Sequence, residues 1–141
     1  MLVRLMYVSR AVPALDQEEL HAILRRSKAN NPELGVTGVL CLSQGIFVQV
    51  LEGGRSAVNR LYNRIITDPR HTQVELLGYE EIGERHFAGW AMGQVNMARL
   101  NPALLLKYSE TATLDPYAVS GAASLALFEE LVAAAAIVCQ F

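Results

Sequence analysis

Three features of this 141-residue chain pose a chemical question: Tyr7, Gln49 and the consecutive pair Asn30-Asn31. Tyr7 lies in a mostly apolar stretch from Met1 to Ser9, and Gln49 in another from Ile46 to Glu52. Alternate side chains of a strand point to opposite faces. Phe47, Gln49 and Leu51 therefore share one face, and Ile46, Val48, Val50 and Glu52 the other. A carboxamide on a core-facing side costs free energy unless it is hydrogen-bonded, and a buried tyrosine hydroxyl has the same need. A Tyr7–Gln49 pair across neighbouring strands would satisfy both, and on its own it is as good a packing solution as a functional one. Asn30-Asn31 reads either as a helix C-cap, because Asn tolerates left-handed backbone, or as two amides offered to a ligand.

Together these groups carry more information. They would converge at one end of a cleft between two helices, with Ile23, Ser27, Ile65 and Ile66 as its walls. Side-chain amides present a donor and an acceptor side by side and so match a ligand edge of the form C=O, N–H, C=O. The pyrimidine ring of a flavin has that edge, and its tricyclic body suits apolar walls. Other chemistries lack their residues. Cys41 and Cys139 are far apart, with no CxxC and no base nearby in sequence, so reduced thiols in the cytoplasm are expected. His21, His71 and His86 show neither HExxH nor HxH spacing, and no metal site is expected. His71 and His86 read as surface residues, His21 as solvated opposite an apolar stripe, and Arg85 as structural or solvent-facing.

The elements that must position these residues follow from periodicity. Met1–Ser9 is a strand apolar on both faces, which suggests a central position in a covered sheet. Asp16 caps a helix, with Glu19 three residues on and Leu15 placed as a hydrophobic staple. Leu20, Ile23, Leu24 and Ser27 form its inner stripe, and Pro32 predicts its end near Asn30-Asn31. Gly35–Leu42 and Ile46–Glu52 form a hairpin about Ser43-Gln44-Gly45. After Gly53-Gly54, a second helix carries Val58, Leu61, Tyr62, Ile65 and Ile66 on one face and stops at Asp68-Pro69. Val74–Ile82 is a fourth strand and Ala91–Val95 a fifth. Asn101-Pro102 starts a short helix to about Tyr108, and another runs from about Pro116 to the C-terminus. The order β-α-β-β-α-β-β is an α+β, ferredoxin-like sandwich. The C-terminal helices are expected to cover the sheet's second face, and the division falls at residues 1–97 and 98–141.

Composition sets the class. Twelve Lys+Arg against fourteen Asp+Glu give a net charge of −2, so no cationic surface for nucleic acid or an anionic membrane is expected. The apolar fraction is 52% with only 7% aromatics, an aliphatic excess. The longest apolar run, Leu131 to Cys139, has nine residues, half of the ~18 that a membrane span needs. No signal peptide is evident at the N-terminus.

An ordered set of motifs now points further. LMYVS (Leu5–Ser9), Ser27-Lys28-Ala29-Asn30-Asn31, GVTGVL (Gly35–Leu40), GIFVQVLEG (Gly45–Gly53), RIITDPRH (Arg64–His71) and RHFAGWAMG (Arg85–Gly93) follow one another in order along the first two thirds of the chain. This set resembles the BLUF family, blue-light sensors that use FAD. The resemblance implies FAD between the two helices, with FMN or riboflavin as alternatives. Asn31 would bond the pyrimidine edge with Asn30 adjacent. Arg64 would face the ribityl or phosphate end with Asp68 nearby, and Tyr7, Ile23, Ser27 and Ile65 would line the site. Gln49 would bridge the flavin and Tyr7. Trp90 and Met92 belong to the fifth strand, and which of them points inward is left open. Light would drive electron and proton transfer from Tyr7, leaving Gln49 rotated or tautomerised and the absorption slightly red-shifted.

The resemblance to short BLUF proteins extends to LLLKYSE (Leu104–Glu110). It implies a stand-alone, non-catalytic photoreceptor signalling through the fifth strand, the C-terminal helices and a separate partner protein. Apolar residues all round the last helix (Leu125, Leu127, Phe128, Leu131, Val132, Ile137 and Val138) suggest a homo-oligomer. Two rivals share the fold: an acylphosphatase-like hydrolase, for which Gly53-Gly54-Arg55 would be the anion loop, and a non-photoactive ligand-binding regulatory module.

Overall fold

A computed structural model of the chain describes residues 1–13, 16–96, 100–134 and 137–138. Leu15, Cys139 and the proposed division at residues 97 and 98 lie outside the described residues. The elements are β1 (Leu2–Ala11), α1 (Gln17–Leu34), β2 (Thr37–Ser43), β3 (Ile46–Gly54), α2 (Arg55–Ile65), β4 (His71–Ile82), β5 (Gly93–Val95), α3 (Pro102–Tyr108), α4 (Gly121–Ala133) and β6 (Ile137–Val138). They form one sheet in the order β4-β1-β3-β2-β5-β6. The first four strands pair antiparallel and β5 joins β2 in parallel. This is the ferredoxin-like arrangement expected, extended at one edge.

The double-faced apolarity of β1 and β3 has a direct cause: both lie inside the sheet, and each face has its own core. Val3, Leu5 and Tyr7 pack with Phe47 and Leu51 under α1 and α2, through Leu20, Leu24 and Val58. Met6, Val8, Val48 and Val50 pack on the other face under α3 and α4, through Leu105, Leu127, Phe128 and Leu131. On that second face, at the end of β3 near α2, sits a buried ion pair. Arg4 Nε donates to Glu52 Oε2 at 2.8 Å, and Glu52 also accepts the backbone N–H groups of His86 and Phe87 at 3.0 and 2.7 Å.

Several boundaries differ from expectation. Asp16 caps α1 as predicted, accepting the Glu19 N–H at 2.8 Å. The helix then runs through Pro32 to Leu34, because a proline near the end removes only one ladder bond. The true stop is Gly35, at φ 70°, whose N–H returns to the carbonyls of Asn31 and Pro32. That left-handed turn favours glycine. Asn30-Asn31 therefore lies within the helix and is not its cap, and β2 starts at Thr37 instead of Gly35.

The C-terminal region departs further. Ser120 caps α4, accepting the Ala123 N–H at 3.0 Å, so the helix begins at Gly121 and not at Pro116. A Cβ on Gly121 would stand 2.1 Å from Leu77 O, so only glycine lets α4 seat this closely on β4. The helix ends at Ala133, and Ile137–Val138 pairs antiparallel with the edge of β5. An exposed strand edge offers hydrogen bonds that a continued helix cannot use. Leu127, Phe128 and Leu131 are buried and Leu125 and Val132 pack beside them. Most of the apolar surface that suggested self-association is thus covered within the chain.

Candidate functional site

β1 and β3 pair so that Tyr7 stands directly opposite Gln49, and Gln49 in turn stands opposite Leu40 of β2. Both polar side chains point to the α1/α2 face. Tyr7 donates to Gln49 Oε1 at 2.5 Å. The amide nitrogen of Gln49 lies 3.4 Å from the sulfur of Met92. Gln49 is thus held between a phenol and a thioether, with Tyr7 and Gln49 buried and Met92 wholly so. Trp90, two residues before Met92, packs at the margin of the opposite core, beneath α3 and α4. Both residues precede β5, which begins at Gly93 and not at Ala91, and of the two Met92 is the one turned toward Gln49.

Asn31 projects from the last turns of α1. It is 2% exposed, and its Nδ2 donates to Ala91 O at 2.8 Å. That bond fixes the amide and leaves its oxygen and second proton for another partner. It also ties α1 to the segment that leads into Met92.

Between α1 and α2 the sheet floors a cavity of about 950 Å³, its open mouth included. Tyr7, Ile23, Ser27, Asn30, Asn31, Gln49, Arg64, Ile65 and Asp68 all line it. Ile66 does not: it is 45% exposed, because α2 ends at Ile65 and the chain turns outward there. Leu40 and Phe47 add to the apolar walls, and Arg26 and Arg70 join Arg64 as cationic lining. Arg70 takes Asp68 as its partner, with Nε 3.0 Å from both carboxylate oxygens. The Arg70 hydrogen bond holds the Asp68 carboxyl below the usual carboxylate range, against the opposing effect of its partial burial. Asp68 therefore serves its own turn before it serves a ligand.

His71 is not the surface residue expected of it. Half-buried, it lines the cavity, with its ring edge-on to Tyr7 and to Phe47 at 6.2 Å each. Its place at the end of the RIITDPRH motif was the one signal for it, and periodicity added none, because its partners Ser9 and Ile65 come from other elements. His86, by contrast, is exposed and pairs with Glu129, and Arg85 reaches Thr37 Oγ1 and Gly35 O.

Burial, then the proximity of Tyr62 and Asp68, pushes the Tyr7 phenol well above its ordinary pKa. A neutral phenol with its proton already aimed at an amide is suited to give up electron and proton together, and unsuited to act as a base. Burial likewise pushes the Cys41 thiol up to about 12, which removes it as a nucleophile. Arg55, the candidate for an anion loop, is exposed, pairs with Glu81 and stands outside the cavity. Among the described residues no cluster could hold a metal ion.

The donor set fits a flavin. Apolar walls suit a flat ring, buried amides meet an imide edge, and the arginines suit a phosphate tail. Comparison with known proteins agrees. A family model described as sensors of blue-light using FAD matches residues 2–93. The photoactivated adenylate cyclase subunit beta of Euglena longa is 39% identical over 92 residues, 64% of this chain but 11% of that protein. This chain thus spans about a tenth of that relative. Among solved structures, BlrB, a BLUF protein in its dark state, has a TM-score of 0.80 and 34% identity, over 95% of this chain and 96% of that one. BlsA in its photo-activated state has a TM-score of 0.83 and 29% identity, over 94% and 95%. With its fold, its slot and a match over most of its length, the chain belongs to the BLUF family of flavin-using blue-light sensors.

Proposed function

We propose that this protein holds FAD between α1 and α2 and reports blue light through a rearrangement of Gln49. The observation that carries this reading is the seating of Gln49, with its oxygen on Tyr7 and its nitrogen toward Met92. Asn31 and Gln49 would hold the polar edge of the ring, Ile23, Leu40, Phe47 and Ile65 its body, and Arg64 with Arg26 the phosphates. A bound flavin supplies blue absorption and, when excited, a strong one-electron oxidant.

Tyr7 is the oxidisable side chain at that edge. On losing an electron its phenol becomes strongly acidic, and its proton already points at Gln49 Oε1. Return of the electron and proton restores Tyr7, so there is no net chemistry. The amide is then free to settle turned or tautomerised, with donor and acceptor exchanged. Its sulfur contact ties that change to Met92, the weakest of its partners.

The output would leave through the segment between β4 and β5. Glu52, three residues beyond Gln49 on β3, holds the amides of His86 and Phe87, and the His86 ring reaches Glu129 of α4. Trp90 lies in the same segment against the α3/α4 core. A change at Met92 thus has a packed route to the outer helices, where a separate signalling protein, or a change in self-association, would read it. We place the protein in the cytoplasm; no helix among the described residues is long and apolar enough to cross a membrane.

A light-minus-dark absorption spectrum of the flavin-loaded protein tests the reading. A reversible red shift of the blue band is expected. Bound flavin whose spectrum is unchanged by illumination would overturn it.

A further inference from the structure

His71, the first residue of β4, uses both ring nitrogens. Nε2 lies 2.6 Å from Ile65 O, and Nδ1 lies 2.8 Å from Ser9 Oγ. A carbonyl oxygen can only accept, so Nε2 carries a hydrogen. Nδ1 shares the second hydrogen bond with the Ser9 hydroxyl. Ser9 is fully buried, two residues beyond Tyr7 on β1, and its hydroxyl needs such a partner. Ile65 O stands at the end of α2, where a carbonyl has no ladder bond within the helix. It takes the Asp68 N–H at 3.0 Å as well as the imidazole. One ring therefore joins the C-terminal turn of α2, whose Ile65 walls the slot, to the strand that carries Tyr7.

The ring is wedged as well as bonded. Its plane stands nearly perpendicular to the rings of Tyr7 and Phe47, at interplanar angles of 81° and 85°. A residue of this size, hydrogen-bonded at both ends, leaves the turn and the strand little freedom to separate.

We propose that His71, with its hydrogen on Nε2 directed at Ile65 O, is a positioning residue. It sets the spacing of Ile65 from Tyr7 and so the width of the slot in which the flavin ring lies. This rests on the flavin reading above, but its geometric half does not.

The test has two arms. Long-range ¹H–¹⁵N spectra of the labelled full chain report the tautomer of each of its three histidines, and the loss of one pattern in His71→Gln identifies His71. A ring carrying its hydrogen on Nε2 is expected; a ring with Nε2 bare and the hydrogen on Nδ1 alone overturns the proposal. The second arm compares flavin binding. His71→Phe keeps the wedge and loses both bonds. It should weaken flavin binding by about tenfold, the scale of one buried hydrogen bond, and blur the fine structure of the visible band. His71→Gln, which can still donate toward Ile65 O, should fall between His71→Phe and the unmodified protein. A His71→Phe protein with unmodified affinity and band shape would overturn the positioning role. If circular dichroism shows that His71→Phe does not fold, His71→Gln decides by the same criterion. An unmodified protein that takes up no flavin sinks the functional reading, whereas normal uptake with indifferent His71 variants sinks this inference alone.

Discussion

The Tyr7 hydroxyl lies 2.5 Å from Gln49 Oε1, in a directly paired register of β1 and β3. The contact is set by backbone pairing and not by loop conformation, so the two side chains can be altered singly without moving the strands. Tyr7→Phe removes the electron and proton donor, and Gln49→Leu removes the group that rearranges. Each variant should keep flavin, because the apolar walls and Asn31 remain, and each should lose the light-induced red shift. Light-minus-dark spectra check this; a normal shift in either variant would remove that residue from the mechanism.

The phenol of Tyr7 offers a second test, in the dark. Burial, Tyr62 and Asp68 all disfavour its anion. Its folded pKa therefore lies above the unfolded value of about 10. The stabilisation this gives is complete below pH 10 and is lost only as pH rises through the folded value. Titration of tyrosine absorbance near 295 nm should then give the same amplitude for the unmodified protein and Tyr7→Phe until the fold is lost. An extra ionising phenol in the unmodified protein at about pH 10 would show that Tyr7 is not shielded.

The sequence made some of this legible and hid the rest for physical reasons. Strand alternation groups Gln49 with Phe47 and Leu51, but both strands are apolar on both faces, so it is the register of β1 against β3 that sets Tyr7 beside Gln49. Nine of the ten residues proposed for the slot from motif and stripe reach one cavity, since α1 and α2 each carry a readable apolar face; Ile66 misses because α2 ends at Ile65. Pro32 misled because a local preference against helix was outweighed by the stop at Gly35, four residues after Asn31. His71 and Arg70 were missed because their roles depend on Ile65, Ser9 and Asp68 meeting in a turn that periodicity does not describe. The far end failed for another reason: the Ala133–Ala136 run favours helix by propensity, yet the edge of β5 draws Ile137–Val138 into the sheet.

Acid should probe the Asp68–Arg70 pair. The Arg70 hydrogen bond lowers the Asp68 pKa below 3.8. The stabilisation is thus present above about pH 4 and fades as pH falls through the lower folded value. Both side chains are partly exposed, so the effect should stay under about 1 kcal/mol. Urea unfolding between about pH 5 and pH 2 should show a slightly shallower acid loss for Asp68→Asn. Parallel curves would mean that the pair adds nothing to stability.

Glu52 should matter far more, because its environment is closed. It is fully buried and accepts from Arg4 Nε and from the His86 and Phe87 N–H groups at 2.8, 3.0 and 2.7 Å. Glu52→Ala would strip a buried guanidinium of a charge partner and leave two backbone donors unmatched. Arg4 would keep only its bond to the exposed Glu80. Breaking a buried pair from one side costs about 3–5 kcal/mol, and urea unfolding of the dark protein should show a loss on that scale. Glu52→Gln, which keeps an acceptor for the two amides, should lose less. Its effect should fall instead on the segment that bears Trp90 and Met92, seen as faster amide hydrogen exchange at His86 and Phe87. A loss below about 1 kcal/mol in Glu52→Ala, the range of a surface pair, would show that Arg4 and the loop amides find water or other partners, and that this loop is not anchored to β3 through Glu52.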